Sequence, residues 1–251
     1  MIVNMHEHPG PHAEQHQAEE GIDVSVLLPV GDVNQPVAIE QAREHPDRFV
    51  AFIWPGYAEE WDHAAEVVAR HSDEFGCRGV KFQPLLQHGY PDDERLYPMY
   101  EACVDRDLIV LWHCGIVDFD QEFGRPHLSR YGNSVPGVDR VAADFPELRL
   151  VIAHLGGNFI YEACVVAGKH ENVWLDTAYL AWYAPRLFPP ATPEAMIEHA
   201  ARVAGPERVL YGYEGVSPEV VRRTELDDQA QAAILGGNAA RLLDLPAGEA
   251  G

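Results

Sequence analysis

Histidines stand at the ends of three separate apolar runs of this sequence. His6 and His8 close the first run, and His113 and His154 each close a later one. Neutral imidazole is the commonest metal ligand in proteins, and side chains two positions apart share one face of an extended strand. We therefore expect His6 and His8 to bind one metal ion, with His113 as a third ligand. No cysteine lies near His6 and His8, so the pattern favours an open catalytic site over a closed structural one.

His154 and Glu214 are the candidates for proton transfer beside such an ion. An imidazole suits general acid or base catalysis, and His154 is equally a candidate fourth ligand. Glu214 follows another apolar run, in Leu210-Tyr211-Gly212-Tyr213-Glu214-Gly215. Its carboxylate could bind the metal or deprotonate a metal-bound water, and both alternatives stay open.

Eight short apolar runs alternate with stretches of helical periodicity, which is typical of βα units around a parallel sheet. Eight such units predict a (β/α)8 TIM barrel that forms a single domain over residues 1–251. In a barrel of this kind the carboxyl ends of the strands meet in one mouth, so the histidines would lie together there. The predicted strands are Ile2–His6, Val24–Val30, Phe49–Trp54, Gly79–Phe82, Leu108–His113, Leu148–His154, Val173–Asp176 and Val209–Tyr211. The predicted helices are Pro36–Glu44, Glu59–Phe75, Leu96–Arg106, Val138–Asp144, Ile160–Lys169, Pro193–Val203 and Pro218–Leu235.

The segment Gly115–Pro136 is a long, aromatic and charged connection, and connections of this kind are usually lids or binding loops. We expect it to lie over the active-site mouth. Its Arg125 is a candidate for binding a substrate carboxylate, because a guanidinium pairs with that group bidentately. Lys81, inside a strand, needs an anionic partner or a place at the mouth, and it is a further candidate for substrate binding. Trp54 is a candidate for lining the substrate pocket.

Composition excludes several classes of protein. The chain has 251 residues, 47% of them hydrophobic, and a formal net charge of −22. Such an acidic surface argues against nucleic acid and anionic membranes as partners. The cysteines are scattered, no apolar stretch approaches about 18 residues, and no leader precedes the first strand. We expect a soluble cytoplasmic protein with a frayed tail from Pro246 to Gly251; a homodimer is compatible with the sequence.

Longer motifs resemble the amidohydrolase superfamily, in the branch of amidohydrolase 2 and aminocarboxymuconate semialdehyde decarboxylase. The resemblance covers nearly the whole chain, from the His-x-His of the first strand onward. The motifs that carry it are Gly79-Val80-Lys81-Phe82-Gln83-Pro84, Trp112-His113-Cys114-Gly115, Val151-Ile152-Ala153-His154-Leu155-Gly156-Gly157 and Gly237-Asn238-Ala239-Ala240-Arg241-Leu242-Leu243.

The resemblance implies a metal-dependent barrel enzyme that takes a small-molecule substrate and one divalent ion, zinc in the first place or manganese. His6, His8 and His113 would bind the ion, and His154 would lie beside it. Two positions depart from the family pattern. Gly212-Tyr213-Glu214 stands where relatives usually have Gly-Ser-Asp, and Gln83, a further candidate for substrate binding, stands where many have histidine.

Three functions follow as hypotheses. The first is a metal-dependent hydrolase of small carboxylate-bearing esters, lactones or amides, acting through a metal-activated water. The second is a non-oxidative decarboxylase of a small unsaturated or aromatic carboxylic acid. The third, suggested by the altered Gly212-Tyr213-Glu214 segment, is a catalytically silent barrel that binds a metal ion or small ligand.

Overall fold

The central element is one sheet of eight parallel strands in which every strand pairs with the next barrel strand along the chain. The computed structural model describes residues 1–246. The strand order confirms the predicted (β/α)8 barrel. The strands, β1 to β8, are Val3–Glu7, Val24–Leu27, Phe49–Ile53, Gly79–Phe82, Ile109–Trp112, Arg149–Ile152, Val173–Asp176 and Val209–Leu210.

Hydrogen bonds between β1 and the residues just beyond β8 bring the two edges of the sheet together, so the barrel is nearly closed. The Met5 amide donates to the Tyr211 carbonyl over 2.8 Å. The Tyr213 amide donates to the side-chain oxygen Oδ1 of Asn4, also over 2.8 Å. These contacts give partners to two backbone amides that an open sheet would leave unpaired at its edges.

Two apolar layers explain why the strands read as continuous apolar runs. One face of each strand fills the barrel interior, as Met5, Leu111 and Val151 do, and Leu242 closes this inner cluster. The alternate residues, such as Val110, pack outward against the helices. Strands buried on both faces lack the polar alternation of half-exposed strands.

The helices largely follow the predicted positions. Helices α1 to α12 are Pro11–Glu20, Gln35–Glu44, Ala64–Phe75, Pro84–Gln87, Tyr97–Asp105, Val135–Asp144, Ile160–Lys169, Leu180–Tyr183, Pro193–Ala204, Pro218–Arg222, Asp228–Ala232 and Asn238–Leu242. Short 3-10 turns at Ala58–His63, Glu94–Leu96, Ser129–Tyr131, Ala184–Arg186 and Pro206–Arg208 join them, and a π-helical turn at Ala233–Gly237 links α11 to α12.

Two helical regions differ from the sequence-based expectation. Helix α1 was not predicted, because it buries only Ala13 and Gln17 and so lacks an apolar stripe. The predicted helix Pro218–Leu235 is interrupted after Arg222. A new helix begins where Asp227 accepts the Ala230 amide over 2.8 Å, the geometry of an N-cap.

The segment 115–136 carries a short hairpin that pairs Gln121–Glu122 with Arg125–Pro126. We call residues 116–133 the lid. The frayed tail was predicted for Pro246 to Gly251, and residues 247–251 lie outside the described part of the chain. The end of the predicted domain lies there too. No helix among residues 1–246 is long and apolar enough to cross a membrane.

Candidate active site

A small cavity of about 70 Å³ opens at the carboxyl ends of the barrel strands. This is the end at which barrel enzymes carry their active sites. Strand residues form its floor, and lid residues form its opposite wall. The lining consists of His6, His8, Val30, Lys81, Gln83, His113, Val117, Phe119, Glu122, His127, His154, Tyr179 and Glu214.

A bulge in β1 turns two histidines toward this cavity. Met5 points into the barrel interior, so strict alternation would place Glu7 on the inner face as well. The pairing of β1 with β2 shifts register between Asn4 and Glu7. Beyond the shift, His6 and His8 both line the cavity. Bulges commonly redirect side chains next to active sites, and this one presents two imidazoles together.

Hydrogen bonds fix the orientation of both rings. His6 Nδ1 lies 2.9 Å from Asp176 Oδ2, and His8 Nδ1 lies 3.1 Å from the Leu28 carbonyl oxygen. In each contact the imidazole nitrogen donates its proton to an oxygen. The Nε2 atoms are therefore unprotonated in the neutral rings, which is the arrangement that metal-binding histidines use.

Glu214 brings a carboxylate to the two Nε2 atoms. Its oxygens lie 3.6 Å from His6 Nε2 and 3.5 Å from His8 Nε2. Burial raises the pKa of Glu214, but the contact with His8 and the charges of His6 and His154 outweigh it and hold the pKa well below its usual value. Glu214 Oε2 is buried and has no hydrogen-bond partner among the described residues. Glu214 itself adopts a positive φ of 26°.

His154 reaches the cavity through a left-handed turn. Four successive residues, His154 to Gly157, have positive φ, with His154 at 60°. The left-handed region is costly for residues other than glycine, and such strain is concentrated at functional sites. The His154 amide donates to Asp176 Oδ1 over 2.9 Å, and the Ala178 amide donates to the same oxygen over 3.0 Å. Asp176 therefore holds both this turn and the His6 ring.

His113 and His154 contact each other and two carbonyl oxygens. Their facing nitrogens, His113 Nδ1 and His154 Nε2, are 3.0 Å apart. The other nitrogens approach the carbonyls of Gly115 (3.0 Å) and Ala178 (2.9 Å). Burial lowers the pKa of His113 well below its usual value and that of His154 to about 4, so both rings are neutral at neutral pH. Two neutral rings carry two N–H protons for three contacts, and one contact therefore lacks its proton.

Lys81 supplies positive charge to the cavity. It points inward from β4, its side chain is buried, and its Nζ lies 3.4 Å from His6 Nε2. Burial lowers the pKa of Lys81 to about 8, and the nearby carboxylates of Glu214, Asp176 and Glu122 limit the shift. The ammonium form therefore predominates at neutral pH.

Of the other candidate residues, the structure brings Gln83 to the cavity and leaves two outside its lining. Arg125 pairs with Glu59 over 3.0 Å and lies 4.1 Å from the ring of Tyr57. Its guanidinium therefore anchors the lid from outside. Trp54 packs against Val30 and Leu86 at the rim of the barrel. A part of either residue in substrate binding stays a prediction.

Several residues near the site were not among the sequence-based candidates. Asp176 is the last residue of β7. His113 and His154 were predicted because they stand at the carboxyl ends of apolar runs, and the same criterion would have identified Asp176. Glu122 and Tyr179 line the cavity from connecting segments. Their direction depends on how those segments fold, which no local sequence signal shows.

The sequence profile of the amidohydrolase family matches residues 4–245. The chain belongs to this family, and it is an amidohydrolase-type enzyme with a barrel of eight parallel strands. No protein with a curated description matches it in sequence.

Solved structures with the same fold cover nearly all of this chain. The 2,6-dihydroxybenzoate decarboxylase from Rhizobium is 16% identical, covers 97% of this chain and 98% of its own, and has a TM-score of 0.74. The 4-oxalomesaconate hydratase from Rhodopseudomonas palustris is 17% identical, with coverages of 97% and 96% and a TM-score of 0.71. A dihydroxybenzoic acid decarboxylase from Polaromonas, solved with bound manganese and an inhibitor, is 16% identical, with coverages of 94% and 86% and a TM-score of 0.69.

The residues of this chain fit the metal that the family uses. The ligand atoms of His6, His8 and Glu214 lie within 4.8 Å of one another, as do those of His6, His154 and Asp176. In the first group, the Nε2 atoms of His6 and His8 face a buried carboxylate oxygen that has no partner among the described residues. Nitrogen and oxygen ligands of this kind suit zinc and manganese alike. His113 belongs to neither group of described residues, and its role as a ligand stays a prediction.

Proposed function

We propose that this enzyme is a metal-dependent non-oxidative decarboxylase of a small unsaturated or aromatic carboxylic acid. The observation that carries the proposal is the buried ammonium of Lys81 beside the His6, His8 and Glu214 group. An anionic substrate is the natural partner of a buried ammonium in a cavity of this kind. The apolar wall formed by Val117 and Phe119 suits the hydrocarbon part of such an acid.

His6, His8 and Glu214 would hold one divalent ion. When bound, the ion supplies positive charge that holds substrate oxygens and stabilises the negative charge developing as the carboxyl group leaves. Asp176 and the Leu28 carbonyl contribute by keeping Nδ1 of each imidazole protonated and Nε2 free. The ion is zinc or manganese in this proposal; the bound manganese of the Polaromonas decarboxylase supports the second choice.

Lys81 has two tasks in the proposed reaction. Its ammonium pairs with the substrate carboxylate and so orients the bond that breaks. When that bond breaks, its electron pair stays on the substrate carbon, and a proton from Lys81 Nζ takes the place of the carboxyl group. Solvent then returns the proton to Lys81. Among the buried groups of the cavity, Lys81 is protonated at neutral pH, whereas the pKa of His154 is about 4.

The neighbouring structures support this choice over the hydrolase hypothesis. Two of the three similar enzymes described above bear the name of decarboxylases of aromatic acids, and the third is a hydratase. Membership of an enzyme family counts against a silent barrel.

Hydrolysis of a small ester, lactone or amide is the second candidate. Glu214 and His154, the predicted catalytic residues, both line the cavity, and Glu214 Oε2 is buried without a partner. An ionised carboxylate so placed could take a proton from an attacking water. In this alternative Glu214 and His154, and not Lys81, carry the proton transfer.

The first test is carbon dioxide release from a panel of small unsaturated and aromatic acids by the manganese-loaded or zinc-loaded enzyme. We expect release from at least one acid, and in D₂O we expect deuterium at the carbon that carried the carboxyl group. The control is the double variant His6→Ala, His8→Ala, in which metal content and turnover should both be lost. Metal-dependent cleavage of esters, lactones or amides without carbon dioxide release from any acid would contradict the proposal and favour hydrolysis.

A further inference from the structure

Two polar side chains that line the cavity, one from the lid and one from the end of β4, have atoms without partners among the described residues. Both ring nitrogens of His127 and the Oε1 atom of Gln83 are buried without a hydrogen bond to any described residue. The His127 side chain is only 2% exposed, and both residues line the cavity. An unpaired buried polar group costs about 1–3 kcal/mol. In a ligand cavity, such groups point to a bound molecule that supplies the missing hydrogen bonds.

The backbone around His127 is tied to the barrel. The His127 amide donates to the Asp120 carbonyl over 3.0 Å, and the Leu128 amide donates to the Leu85 carbonyl over 2.9 Å. His88 Nε2 lies 2.8 Å from the Pro126 carbonyl oxygen. These bonds fix the segment on both sides of His127, so its ring is held at the cavity wall.

The donors and acceptors of these side chains define the group that they would bind. A carboxamide has both donors and an acceptor, and a neutral imidazole has one of each. A hydroxyl group both donates and accepts, so it can donate to the oxygen of Gln83 while it accepts from the N–H of His127. An ether only accepts, and an ammonium only donates.

The negative charge of Glu122 limits which substituent of the substrate can lie next to His127. Its Oε2 lies 3.4 Å from His127 Nε2. A second carboxylate on the substrate would meet this negative charge at short range and be repelled. An uncharged substituent avoids that repulsion.

We propose that Gln83 and His127 form a subsite for an uncharged hydroxyl group of the substrate. The inference rests on the proposed function, because the substrate carboxylate is taken to face Lys81 on the floor of the cavity. Gln83 and His127 would thus bind one substituent while Lys81 pairs with the carboxylate that reacts. Because the cavity of about 70 Å³ holds only a few waters, the part of the lid outside this tied segment would move outward to admit the substrate.

The test is binding rather than turnover. Isothermal calorimetry on the manganese-loaded protein would compare benzoate with its three monohydroxy and three monomethoxy derivatives. We expect at least one hydroxy isomer to bind about 10-fold more tightly than both benzoate and its methoxy counterpart, the size of one good hydrogen bond. His127→Phe and Gln83→Leu should each remove most of this advantage, measured within each variant as the ratio of hydroxybenzoate affinity to benzoate affinity. Arg130→Gln, at an exposed lid position, should keep it.

The outcomes separate this inference from the proposed function. No advantage for any hydroxy isomer, no binding of any probe, or an advantage that survives in both variants would overturn the subsite, whether or not carbon dioxide is released. An advantage that both variants abolish would support the subsite even if no acid loses carbon dioxide, a result that would contradict only the decarboxylase. Circular dichroism of each variant checks folding, and the hydroxy-to-methoxy comparison in the parent protein needs no variant.

Discussion

The floor and the lid of the cavity treat their polar atoms differently. On the floor, His6, His8 and the turn at His154 are each fixed by a hydrogen bond to Asp176 or to a backbone carbonyl. Glu214 Oε2 is an exception, because it has no partner among the described residues. His127 of the lid and Gln83, which directly follows β4, also have polar atoms without such partners. Preorganised groups suit a chemical step, whereas unpaired groups suit recognition of a ligand. We therefore expect the reaction to depend on the fixed residues of the strands, and selectivity to depend on Gln83 and His127.

The largest effect should come from the floor residue that bears the charge. Lys81→Met should lower kcat for decarboxylation by roughly 10²–10⁴-fold, the contribution of a positioned acid, without loss of the metal. In the parent enzyme, kcat should fall as the pH rises through about 8, because the ammonium of Lys81 then loses its proton. Steady-state kinetics between pH 6 and 10, with metal analysis of each protein, would measure both.

Lys81→Arg distinguishes the two tasks of this residue. A guanidinium keeps its charge above pH 8 but is a poor proton donor. If charge alone is needed, this variant should be active and lose the decline near pH 8. If Lys81→Met retained the parental kcat, the chemical step would not depend on the ammonium. That result would contradict the assignment of the reaction to this residue of the cavity floor.

A smaller effect is expected from the carboxylate behind the histidines. Asp176→Asn should weaken metal affinity by roughly 10–100-fold, because the partner that fixes the metal-binding tautomer of His6 is weakened. Competition with a metal chelator would measure the change. The matched control is Asp139→Asn, which alters a similar contact of 2.7 Å to His170 on the surface and should leave the affinity unchanged. Equal losses in both variants would mean that Asp176 has no special role at the site.

The smallest effect should come from the outer anchor of the lid. Arg125→Gln removes the pair with Glu59 and the contact with the Tyr57 ring, and partly exposed pairs of this kind contribute at most about 1 kcal/mol. We expect a rise in KM of no more than about 5-fold, with kcat and metal content unchanged. Arg186→Gln, which removes a similar 4.1 Å contact with Trp182, is the control outside the lid. A large loss of kcat in Arg125→Gln would show that the lid takes part in the reaction itself.

Most of the barrel could be predicted because each strand is a short apolar run, and the apolar residues that follow most of these runs recur with the periodicity of a helix. All eight predicted runs overlap the strands of the sheet. Helix α1 was not predicted because its mostly polar residues form no apolar stripe. The helix from Pro218 was predicted too long because no glycine or proline marks the interruption before Asp227, the N-cap of the next helix.

The site was predictable where it follows the ends of strands. His6, His8, Lys81, Gln83, His113, His154 and Glu214 were all named from the sequence, and all line one cavity. The lid side was not predictable to the same degree. Whether Arg125 or His127 faces inward depends on anchors to residues far along the chain, such as Glu59 and Leu85. Periodicity within a loop contains no information about such anchors.

The bulge in β1 also sets limits on how this gene can change. Because the register shift lies between Asn4 and Glu7, a first strand that kept its length but lost the bulge would return to plain alternation, with Glu7 turned inward and both imidazoles away from the mouth. Substitutions in the first strand that remove the bulge should therefore be eliminated by selection, even though the strand itself would still form. The lid hairpin carries no comparable alternation, so changes in its length should be tolerated better than changes in the first strand.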